Sequence, residues 1–63
     1  MNGKELKEAM MRGIPVKYRD VEYKRISAII YRPRGEGVAV SAELEVGYGS
    51  CLVIAPAEKV EVL

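Results

Sequence analysis

Six residues carry the side chains best suited to recognition chemistry: Tyr18, Tyr23, Arg25, Tyr31, Arg32 and Arg34. Tyrosine rings offer flat faces on which bases stack, and guanidinium forks match phosphate oxygens. Interleaved with Lys17, Arg19 and Lys24, they have the makings of a stacking platform for single-stranded nucleic acid. Two plainer readings stand beside it. Tyrosine in a strand covers the pleated surface with its ring and keeps its hydroxyl wet. An exposed tyrosine patch also suits a protein partner.

Catalytic parts are missing by comparison. The chain has no histidine, so neither a Ser-His nor a Cys-His arrangement exists. Its one cysteine, Cys51, falls in an apolar stretch, where a thiol is ordinarily inert. Asp20 stands alone, and Glu43 and Glu45 share a solvent-facing side without acid–base spacing. One cysteine and no histidine argue against a structural zinc, and no cofactor is implied. The expectation is a protein that is not an enzyme.

Net charge is +1, but it is unevenly spread. Residues 1–34 hold nine basic and four acidic side chains, whereas residues 35–63 hold one basic and five acidic ones. Such asymmetry signals an anion-binding face unless strand pairing cancels it. The lone cysteine and the lack of a secretory apolar segment point to a reducing, cytoplasmic setting. No apolar run approaches the roughly 20 residues of a membrane-spanning helix, so no membrane partner is expected.

The elements that must position these residues follow from periodicity. A chain of 63 residues makes one small domain, with a helical part over 1–13 and a β part over 14–63. Asn2 and Glu5 have the spacing of a capping box, and Leu6, Ala9 and Met10 make one buried stripe. Gly13 suits the left-handed cap and Pro15 forbids continuation. "IPVKY" (Ile14–Tyr18) is a short strand, placed at a sheet edge by Pro15. Arg19-Asp20 is a tight turn. In "VEYKRISAIIYR" (Val21–Arg32) the apolar phase shifts, which demands a bulge or bend near Lys24-Arg25. "VAVSAELEV" (Val38–Val46) alternates cleanly, with Val38, Val40, Ala42, Leu44 and Val46 inward. Gly47–Gly49 makes a turn, "SCLVIA" (Ser50–Ala55) a strand, Pro56–Glu58 a 3₁₀ turn and Lys59–Leu63 a last strand.

Pairing the arms around "RPRGEG" (Arg32–Gly37) so that Arg32 faces Val38 sets Ile30 on Val40, Ala28 on Ala42 and Ile26 on Leu44. Arg25 then meets Glu45 and Ser27 meets Glu43 on the outer face, which also receives Tyr31 beside Ala39. Much of the charge asymmetry thereby becomes ordinary cross-strand pairing. The tip resembles part of an AT-hook, but Pro33 precedes Arg34-Gly35 and no glycine separates the arginines. Turn residues are expected at a hairpin tip in any case.

This succession resembles the SH3-like barrels: strand, bent strand, two strands, one 3₁₀ turn, final strand. "VIAPAEKVEVL" is similar to their closing segment. The resemblance covers residues 14–63 and implies a mainly β, five-stranded small barrel with the short N-terminal helix added. The layout, with its tyrosine-rich second strand, also resembles small uncharacterised prophage-encoded proteins of Gram-positive bacteria, which implies no function. The chain has neither Trp nor Phe, so the aromatic groove that reads proline-rich peptides is not expected. The reading is a small interaction module for a protein partner, with a nucleic-acid-binding barrel as the alternative. A homodimer is compatible with a core this small.

Overall fold

A computed structural model describes residues 1–47 and 51–63. Helix α1 (Gly3–Arg12) is built as its caps dictate. Asn2 Oδ1 accepts the Glu5 N–H at 2.8 Å, and Glu5 Oε1 accepts the Asn2 N–H at 3.0 Å. At the other end Gly13 takes φ +64° and gives its N–H to the Met10 carbonyl. Leu6 and Ala9 are buried and Met10 packs beside them. This single helix is neither long nor apolar enough to cross a membrane.

Two short strands, β1 (Val16–Tyr18) and β2 (Val21–Tyr23), pair through the Arg19-Asp20 turn. Both turn residues have positive φ, +52° and +62°, as a type I′ hairpin requires. The final strand, β6 (Glu61–Val62), pairs with the other side of β1, giving the sheet order β2-β1-β6. The expected edge placement of the first strand is therefore corrected: β1 is central. Pro15 precedes the ladder instead of lying within it, so its missing N–H breaks no strand pairing.

At Lys24 the chain leaves this sheet, where the phase shift calls for a bend. Strands β3 (Arg25–Arg34), β4 (Gly37–Glu45) and β5 (Leu52–Pro56) make the second antiparallel sheet, in that order. A bulge at Ser27 changes the expected register. Ile26 faces Leu44, but the next pair is Ala28 with Glu43, leaving Ser27 extra. The Ser27 hydroxyl donates to the Glu43 carbonyl at 3.2 Å. Ile29 consequently meets Ala42, Tyr31 meets Val40 and Arg32 meets Ala39. Ile29, not Ile30, packs against the core, and Tyr31 lies on the α1 side, not on the outer face.

The 3₁₀ turn runs over Ala57–Lys59, one residue later than expected. The Met1 ammonium donates to the Ala57 and Val60 carbonyls at 2.8 and 3.2 Å, tying the start of α1 to this turn. Leu6, Val16, Ile26, Leu44 and Val60 fill the centre between α1 and the two sheets. The described strands form two three-stranded sheets and no closed barrel. The helix packs along β3 and completes a core that ladder closure would otherwise enclose. The turn expected at Gly47–Gly49 falls largely outside the described residues, as do Tyr48 and Ser50.

Candidate binding edge

Folding disperses the six residues with recognition chemistry. Tyr23 is 8% exposed and belongs to the core, so it cannot stack on a ligand, contrary to the expectation. Tyr18 packs partly against the same core, with the Arg19 guanidinium 5.4 Å from its ring centroid. Arg25 is engaged by Glu45, Nε to Oε2 at 2.7 Å. That hydrogen bond holds the Glu45 carboxyl below the usual carboxylate range and raises the Arg25 guanidinium. Tyr31 stays 58% exposed, its hydroxyl close to Gly3 at the start of α1. Only Arg32 and Arg34 stand free near the hairpin tip: the ion pairs among the described residues are Glu8–Arg12, Lys17–Glu61 and Arg25–Glu45.

The tip itself is shorter than the sequence suggests. Strands continue to the Arg34–Gly37 pair, and only Gly35 and Glu36 form the loop. Gly35 takes φ +59° at the first loop position, as a type II′ turn requires. Arg32 and Arg34 are thus held on a strand, on the outer face of the second sheet.

A different feature emerges beside them. The hairpin is longer than its neighbour: β5 covers β4 only from Ser41 to Glu45. At Pro56 the chain turns into the 3₁₀ turn, so Gly37–Val40 have a strand on one side alone. Backbone groups alternate sides along an antiparallel strand. The Glu45 carbonyl accepts from Lys24 on the β3 side, and the Val46 N–H reaches the Cys51 carbonyl on the β5 side. By that alternation Val38 aims its N–H and C=O, and Val40 its N–H, at the uncovered side, while the Val40 carbonyl meets the Ala57 N–H where β5 ends. A groove of about 530 Å³ runs along it, between β4 and the segment that joins Met1–Gly3 to the 3₁₀ turn. Arg34 stands at its tip end and Glu58 at the other.

The opposite edge of the sheet is treated differently. On β3 the backbone groups of Ile29, Tyr31 and Pro33 point away from β4 by the same alternation, so the missing N–H of Pro33 blunts that edge. The helix packs along the strand as well. Val38, read from the pattern as an inward residue, is 63% exposed because no strand continues beside it. On the outer face Leu52 and Ile54 are also open, at 50% and 53%. Leu52 lies opposite Glu45, and Cys51, expected within an apolar strand, is exposed ahead of β5. Pro56 ends β5, but its place opposite Ser41, short of the hairpin tip, is set by the pairing and not by a local sequence signal.

Comparison with known proteins finds no family model, no curated protein and no solved structure that matches the chain.

Proposed function

We propose that this chain is a small, non-catalytic interaction module that binds a protein partner, built as a partly open SH3-like barrel. The barrel reading is supported by the connectivity. Strands β2 and β3 are successive parts of one bent strand, β1 pairs with both β2 and β6, and a 3₁₀ turn separates the last two strands. A kinship with small prophage-encoded proteins, proposed from the sequence layout alone, brings no activity with it.

The observation that carries the partner reading is the uncovered stretch of β4 and its groove. An unpaired strand edge is a template for another chain, and soluble proteins ordinarily block it. Here β3 is blunted and β4 is open. The nucleic-acid alternative has less to support it, since its face needed Tyr18, Tyr23 and Arg25 beside the tip arginines. In the folded chain two of those rings pack against the core and Arg25 is paired.

The test replaces Val38, Ile54 or Met11, one at a time, by a photoreactive amino acid and irradiates the chain in its host cells. Met11, exposed on the helix, is the control. A discrete protein adduct from Val38 or Ile54 and none from Met11 is expected. Adducts to nucleic acid, or none from either position, would overturn the reading.

A further inference from the structure

We propose that the open edge of β4 takes an extended segment of its partner as an added antiparallel strand, one with alternating apolar residues and an acidic residue at its C-terminal end. This deepens the module reading above and rests on it. Val38 supplies an N–H donor and a carbonyl acceptor facing the groove, and Val40 a further N–H. The Val40 carbonyl is taken by the Ala57 N–H, as the Ser41–Pro56 pairing requires of a proline. Gly37–Val40 spans four residues, about 13 Å of strand at roughly 3.3 Å each, so the added segment is short. Antiparallel pairing is the more stable ladder and continues the direction of β5, which runs toward the hairpin tip. The C-terminal end of the added segment therefore lies by Arg34 and its N-terminal end by Glu58. Arg34 has no carboxylate partner among the described residues, which selects an acidic side chain there. At the other end Glu58 favours a basic one. Alternate side chains of the segment fall on the Val38–Val40 side and extend the inner apolar face.

Two blocked peptides of identical composition test this, Lys-Val-Thr-Val-Asp and its charge reversal Asp-Val-Thr-Val-Lys. Each is added to the ¹⁵N-labelled chain while amide hydrogen exchange is followed. The first should slow exchange at Val38 and Val40 at least tenfold and shift both amides, with little change at Leu52 or Ile54. The reversed peptide should bind at least fivefold more weakly, and Arg34→Glu should invert that preference. A first peptide N-methylated at its groove-facing amides should not bind. No protection at Val38 and Val40 at millimolar peptide, or equal binding of both peptides, would overturn the inference. The variant Val38→Pro separates the two levels: it removes a groove-facing donor. If the cross-link from Ile54 persists in Val38→Pro, the partner sits on the sheet face and strand addition alone falls. If no cross-link forms from either position in the unaltered chain, the module reading falls with it.

Discussion

Replacing Leu6 by alanine tests whether α1 is part of the domain or an appendage. Ten residues are too few for a helix to persist alone in water, so α1 must draw its stability from Leu6 and Ala9. Leu6 is fully buried, among the side chains that fill the centre with Val16, Ile26 and Val60. The three carbons removed are worth about 2.4 kcal/mol of transfer at roughly 0.8 kcal/mol each. The space they leave raises the total to about 3–4 kcal/mol, inside the span of about 2–5 kcal/mol for buried leucine truncations. A 63-residue domain has only about 3–9 kcal/mol in hand. At roughly 4–8 °C per kcal/mol, the melting point should fall by about 12–30 °C. Far-ultraviolet circular dichroism melts of the parent, Leu6→Ala and the exposed control Lys7→Ala provide the assay. A melting point unchanged within about 2 °C would refute the packing of α1 into the core, since a detached helix contributes almost nothing to the transition.

The bulge at Ser27 turns Ile29 toward the core, so Ile29→Lys should cost about 2 kcal/mol or more, while Ile30→Lys, half-buried on the outer face, should cost clearly less; chemical denaturation of the two variants checks it. Asp20→Gly relieves a left-handed φ of +62° and should raise stability by about 0.5–1 kcal/mol, read from the same curves. Glu45→Gln should lower the melting point at neutral pH. The depressed carboxyl of Glu45 contributes stability that is full above its ordinary value of about 4.3 and is lost as pH falls through the lower folded value. The melting-point gap between the parent and Glu45→Gln should therefore close in acid; a gap that is constant with pH would rule out the Arg25 contact as its source.

Much of the local structure was decided by the sequence alone. The capping box at Asn2 and Glu5, the left-handed Gly13, the turn at Arg19-Asp20 and the bend near Lys24 are short-range devices. Their residues satisfy one another or their own backbone, so spacing suffices to read them. The pairing of Arg25 with Glu45 was legible too, because both residues lie before the bulge, where the register counted from the tip coincides with the real one. What failed was what depends on distant chain. One extra residue at Ser27 and a hairpin loop of two residues, Gly35 and Glu36, where pairing Arg32 with Val38 left five, moved Tyr31 from the outer face to the helix side. Periodicity reports which residues alternate, not which residue is skipped. Tyr23 went to the core because it pairs with the buried Val16, on the face of the first sheet that joins Leu6 and Ile26 in one cluster. Strand β1 became central because β6 returns to it from the far end of the chain. The open edge of β4 belongs to the same class. Val38 and Val40 have the alternation of buried residues, but only the tertiary arrangement decides how far β5 runs beside them. Strand edges are made by what is absent alongside, and no local pattern encodes a neighbour's length.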